Sequence, residues 1–215
     1  MSIVKLNNQG VKNATAFGSI TGLGSMVFIK KLTASSSATL SFVDGGSSVV
    51  LDNTYKEYLF TFNNIHPSGN SAHFNFNLSI NSGSNYNVSK TSTLFYASNG
   101  ESGSNIGASI SYWGVNSTEG DLANSSADQN LARNQNADND SSISGTLQIF
   151  NPSSTSFVKH FISSSSSIYH EGSVNGEFNY YVAGYGNTTS AVDAIQFKMS
   201  SGNIDAGDIC LYGIA

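Results

Sequence analysis

Residues 55–81 read YKEYLFTFNNIHPSGNSAHFNFNLSIN, and their alternation decides the fold class. In the second half Phe74, Phe76, Leu78 and Ile80 alternate strictly with Asn75, Asn77, Ser79 and Asn81. That is the period of two of a strand with one dry face and one wet face. In the first half Tyr58, Phe60 and Phe62 take one face, with Glu57, Thr61 and Asn63 largely on the other. Between the halves, Ile65-His66-Pro67-Ser68-Gly69-Asn70 reads as a turn, because Pro presets φ while Gly and Asn tolerate left-handed backbone. The stretch is therefore expected to be a hairpin of two long antiparallel strands. At about 1.5–3 kcal/mol for each fully buried large apolar side chain, its apolar face supplies on the order of 10 kcal/mol of gross stabilisation.

The same chemistry recurs along the chain. Strands are expected over residues 26–32, 39–43, 48–51, 93–97, 106–113, 145–150, 157–162, 167–169, 177–183, 194–200 and 209–214, with a serine run at 163–167 between two of them. Turn signals separate them every 8–12 residues or so, the spacing of a β-sandwich or jelly roll. No amphipathic helices lie between them, which excludes a parallel βαβ architecture. Residues 115–142 are polar and read as a long loop, with 121–132 the only stretch that a short helix would fit. Phe60, Phe62, Phe74, Phe76, Leu78, Ile195 and Phe197 are expected in the core.

Composition narrows the function. Of 215 residues only 11% are charged, and the solubilising groups are Asn, Ser and Thr, which suit turns and strand faces better than helices. The net charge of −5 and nine scattered Lys and Arg offer no stripe for a phosphate backbone, so no nucleic-acid partner is expected. Cys210 is the single cysteine, which rules out an intrachain disulfide and reads as a core or sheet-face residue. The opening MSIVKLNNQG lacks the apolar core and cleavage site of a signal peptide, and no apolar run approaches a membrane span. The chain is read as made in a cytoplasm, with no membrane partner.

No motif commits the chain to catalysis. His66, His73, His160 and His170 form no close ligand pair, and unpaired surface histidines are the commoner case. Residues 136–140, NADND, imitate the start of a calcium loop. Ser141 then stands where glycine is needed and Leu147 where a bidentate Glu belongs, so a solvated loop is the better reading. Asp205 and Asp208 read as turn residues. There is no nucleophile elbow, P-loop or dinucleotide fingerprint, and fourteen Asp and Glu are spread along turns. No cofactor, metal or catalytic residue is assigned. The residues that suggest a ligand are aromatic: Tyr112, Trp113, Tyr180, Tyr181 and Tyr185 would stack sugar rings if exposed, although alternation should send part of them into the core.

Three stretches carry a resemblance: residues 55–67 (YKEYLFTFNNIHP), 150–161 (FNPSSTSFVKHF) and 194–214 (AIQFKMSSGNIDAGDICLYGI). The similarity runs across most of residues 26–215. Its most specific part is the ending Gly202-Asn203-Ile204-Asp205-Ala206-Gly207 followed by Leu211-Tyr212-Gly213-Ile214. In these the chain resembles virion structural proteins of tailed phages infecting marine bacteria and cyanobacteria. The resemblance implies a jelly-roll-like β-sandwich built into the phage particle as head decoration or tail-associated component. It implies contacts with major capsid or tail proteins and copies of itself, and no catalytic residues. A carbohydrate-binding module of a tail fibre, with a surface glycan as partner, is the alternative from another class; a glycosidase or depolymerase is the third.

The expected organisation is an extended N-terminal arm over residues 1–25 and an all-β antiparallel sandwich over 26–215. The arm's apolar residues are too widely spaced for a strand or helix of its own. Val11, Phe17, Ile20 and Leu23 are its candidate partner-binding residues.

Overall fold

The computed structural model describes residues 26–102, 110–112, 120–171 and 174–215. The arm, with Val11, Phe17, Ile20 and Leu23, lies outside the described residues, as do residues 106–109 and Trp113. The described chain is an all-β antiparallel sandwich without helix. Twelve strands are described: β1 (Met26–Thr33), β2 (Leu40–Val43), β3 (Glu57–Pro67), β4 (Ala72–Ser79), β5 (Lys90–Gly100), β6 (Ser111–Tyr112), β7 (Gln129–Gln135), β8 (Ile143–Phe150), β9 (Lys159–Glu171), β10 (Val174–Gly186), β11 (Ala194–Met199) and β12 (Ile204–Ile214).

They form an eight-stranded sheet of order β1-β12-β3-β8-β9-β10-β5-β6 and a four-stranded sheet of order β2-β11-β4-β7. The pairs nest: β1 with β12, β2 with β11, β3 with β8 and β4 with β7. Each earlier strand of these pairs thus meets a later one across the pairs that lie between them. The β9–β10 hairpin and the β5–β6 pair are additions that extend the large sheet beyond β8.

The expected core residues are all buried. Phe60, Phe62, Phe74, Phe76, Leu78 and Phe197 are fully shielded and Ile195 nearly so. The rings of Phe42, Phe60 and Phe74 surround Phe197 at centroid distances of 6.3, 5.5 and 5.8 Å. Edge-to-face and offset contacts of this kind add to the area they bury.

The pairing of the deciding stretch departs from expectation. β3 and β4 do not form a hairpin; they sit in opposite sheets, and the chain between them crosses the sandwich. Their apolar rows meet face to face, with Phe62 and Phe74 at 5.2 Å. β3 also runs through His66 and Pro67, so the turn begins at Ser68. The row ends before Ile80, which is exposed, and the side of β4 expected to be wet is buried as well. Asn77 there donates to Ser126 O at 3.1 Å and Asp128 Oδ1 at 2.9 Å and accepts from the Lys90 ammonium, so both polar atoms of its own side chain are matched.

Three further expectations fail. Residues 48–51 are loop, anchored by buried Val49 and Leu51 and by Leu51 N donating to Asp44 Oδ1 at 2.8 Å. The polar stretch 115–142 holds strand β7, and its described part contains no helix. The serine run lies inside β9 rather than between two strands. The last two are linked. β7 is the outer strand of the small sheet, and its outward carbonyls need donors. Ser165 Oγ donates to Leu131 O at 2.8 Å, Tyr180 Oη to Arg133 O at 3.2 Å, and Gln135 Nε2 to Ser167 Oγ at 3.1 Å. Inward-facing serines on β9 thus seal the seam where the small sheet ends against the large one.

A fourth expectation also fails: Asp205 and Asp208, read as turn residues, lie in β12, which begins at Ile204. β12 shifts register against β3 near Ala206, and Gly207 there has φ +114°, with Asn64 O 2.6 Å from where a Cβ would stand. Only glycine allows that approach without strain.

Candidate functional site

Two surfaces stand out: the edge strand β1 and the outer face of the added strands β9, β10 and β5. The strand expected over residues 26–32 is present as β1 (MVFIKKLT), and none of its eight residues is buried. Met26 is 52% exposed, Val27 38% and Phe28 56%. Among the described strands β1 pairs only with β12 and stands at the edge of the large sheet. Ile29 and Leu32 pack partly on the core, and Phe28 meets Tyr212 edge-on at 5.7 Å. Beside the strand opens a cleft of about 240 Å³, whose walls include Leu32, Val43 and Val49. At the strand's far end Lys31 Nζ pairs with Asp208 at 3.1 Å, and Thr33 Oγ1 donates to the same carboxylate. Those bonds hold the Asp208 carboxyl below the usual carboxylate range.

The outer face of β10 alternates Tyr181, Ala183 and Tyr185. Tyr181 pairs across with Phe95 on β5 and Ser164 on β9, Ala183 with Thr93 and Ile162, and Tyr185 with Thr91 and His160. Phe95 and Tyr181 stack at 5.1 Å, Tyr112 continues that row at 6.2 Å from Phe95, and His160 meets Tyr185 at 6.1 Å. A groove of about 490 Å³ runs over Ala183 and Gly184, and Thr91, Thr93, His160, Ile162 and Tyr185 line it.

The aromatics that the sequence offers as ligand contacts therefore separate by strand alternation. Tyr181 and Tyr112 are exposed, and Tyr185 stands on the same outer face, while Tyr180 is buried. Sequence reasoning misses Phe95, His160 and Ile162 as members of this face. The signal is the register of β9 on β10 and of β10 on β5, which a single chain's pattern does not reveal.

The acidic stretches meet at the other end of the large sheet. Asp140 and Asp205 line one polar cleft of about 480 Å³ with Asn64 and His66. His66 Nε2 lies 3.1 Å from Asp138 O. Among the described residues no group of three His, Cys, Asp or Glu is placed to hold a metal ion. His73 Nδ1 accepts from Asn134 N at 3.0 Å, and Cys210 is half-buried on β12.

Two lysines are fully buried. Lys90 and Lys159 flank Gly186 in register across β5, β10 and β9. Lys90 Nζ donates to Asn77 Oδ1 at 2.6 Å and Val88 O at 2.8 Å; Lys159 Nζ donates to Phe157 O at 2.6 Å. Burial pulls the Lys90 ammonium down to about 7, against the pull of the Asp128 carboxylate, and lowers Lys159 as well. With carbonyls for partners, both read as ties that fasten strand ends.

No protein-family model, curated protein or solved structure matches the chain.

Proposed function

We propose that the chain is a non-enzymatic structural protein of a tailed-phage virion, a head decoration or tail-associated component, that works through protein–protein contacts. The observation that carries the contact reading is β1: a strand with none of its residues buried, opening on Met26, Val27 and Phe28, at the edge of the large sheet among the described strands. An edge of that kind invites pairing with another chain unless it is covered, and native proteins rarely leave one long and apolar. A neighbour that adds a strand there gains main-chain hydrogen bonds, while Val27 and Phe28 supply apolar anchors. The virion assignment rests on the resemblance carried by residues 55–67, 150–161 and 194–214. The arm over residues 1–25 leads directly into β1, so Val11, Phe17, Ile20 and Leu23 would extend the same contact onto a neighbouring copy or a major capsid or tail protein.

The test is a phage carrying Val27→Lys and Phe28→Lys together. Both side chains are exposed, so the purified protein should lose no more than about 1.5 kcal/mol, mainly from the Phe28–Tyr212 contact. Purified virions are expected to lack the variant or to carry a small fraction of the normal amount. Full incorporation of a normally folded variant would remove β1 as the docking edge.

A further inference from the structure

We propose that the groove on the outer face of β9, β10 and β5 is a binding site for a neutral saccharide. On β10 the outward residues run aromatic, small, aromatic: Tyr181, Ala183, Tyr185. Successive outward residues of a strand lie roughly 6.8 Å apart, so two aromatic ridges stand about 13 Å apart with a trough between them. Tyr185 with His160 forms the ridge that lines the groove, and the stacked pair Phe95 and Tyr181 stands farther along the same face, outside that lining. The small side chain of Ala183 leaves the trough open.

The chemistry of the trough selects its occupant. Among the described residues its lining contains no Asp, Glu, Lys or Arg, so neither an anion nor a cation finds a counter-charge there. The backbone groups of β10 are used on both sides by β9 and β5, so a peptide cannot add to it as a strand. What remains on offer is the ring of Tyr185 and the exposed aliphatic side chain of Ile162, beside the hydroxyls of Thr91, Thr93 and Tyr185 and the ring nitrogens of His160. A pyranose ring matches that mixture. Its C–H face carries partial positive charge and lies favourably over the negative face of an aromatic ring, while its rim hydroxyls exchange hydrogen bonds with threonine, tyrosine and histidine. Exposed aromatics on a rigid sheet also lose little conformational entropy on binding. The site lies on strands added to the eight-strand nest and away from β1, so it stands whether or not β1 is an assembly edge.

The experiment is saturation-transfer difference NMR of the full chain with four neutral hexasaccharides, maltohexaose, cellohexaose, chitohexaose and mannohexaose, and with an oligogalacturonate of the same length. At least one neutral sugar is expected to bind at millimolar concentration and the oligogalacturonate to bind none or far more weakly. Tyr181→Ala and Tyr185→Ala should each weaken binding about fivefold or more, and Ala183→Arg should abolish it, with circular dichroism unchanged because all three side chains face outward. Absence of binding by every neutral sugar overturns the proposal. So does binding that the three substitutions leave intact. A concentration-dependent dimer broken by Ala183→Arg, with no sugar bound, would give the groove to a second copy of the chain instead.

Discussion

Phe197→Ala is expected to remove about 3–5 kcal/mol of stability, a fifth or more of the roughly 5–15 kcal/mol that a folded domain commands. Phe197 sits on the middle of β11, fully shielded, and touches rings from both sheets: Phe42 and Phe74 from its own, and Phe60 from the large one. Truncation deletes three aromatic contacts and leaves a cavity whose walls belong to strands pinned by their ladders, which limits collapse. The paired control is Phe157→Ala, where the side chain is 71% exposed and the change should stay within about 0.5 kcal/mol. Urea denaturation of both variants reads the difference directly. A loss below about 1 kcal/mol at Phe197 would mean that the two sheets do not meet at this ring.

The second large effect is a pH dependence set by Lys90. Its folded pKa of about 7 lies below the ordinary lysine value of 10.5 that the unfolded chain keeps. Between those values the unfolded state binds the extra proton, so stability rises with pH, with a slope approaching about 1.4 kcal/mol per pH unit. Below pH 7 both states are protonated and the cost of burying the charge is present in full. Lys159 is shifted the same way and adds to the slope. Tyr58 acts oppositely: burial pushes its hydroxyl up to about 12, so it costs stability only once the unfolded tyrosine ionises near pH 10. The clean window is about pH 7 to 9, over which the protein should gain roughly 2 kcal/mol. Lys90→Met should remove most of that gain, because it keeps the volume of the side chain and deletes the titrating group. The chemical-denaturation midpoint at several pH values checks both profiles, and an equal slope in the variant would free Lys90 of the effect.

How much of the fold is legible in the sequence follows from what alternation encodes. A row such as Phe74, Phe76 and Leu78 states that one face is dry, and all three are buried. It does not state which strand lies beside it. Two runs joined by a Pro/Gly turn look alike whether they pair in one sheet or arch between two, and residues 55–81 take the second course. β7 is hidden for a different reason. QNLARNQ is buried on both faces, but with polar groups whose partners lie far along the chain: Gln129 on Ser92, Gln135 on Ser167, and the Arg133 carbonyl on Tyr180. Buried polarity whose partners come from tertiary contacts leaves no periodic trace. The serine run reads as a linker, although Ser163, Ser165 and Ser167 continue the inward row of Phe161. The groove is half legible. Tyr181 and Tyr185 stand out from composition, but their ridge partners Phe95 and His160 come from other strands and are supplied by register alone.

The β1 edge shows the value of a mismatch between local pattern and environment. Met26, Val27 and Phe28 are apolar, and the fold leaves them exposed. Such surface is either a liability or a contact, and a protein that works by assembly turns it into a contact. Cryo-electron microscopy of the intact phage particle, at a resolution that shows side chains, tests this most directly. Density for the sandwich is expected on the head or tail, with β1 against a neighbouring chain and Val27 and Phe28 buried between them. A particle that lacks the protein, or one in which β1 faces solvent while another surface makes the contact, would contradict the docking role of that edge.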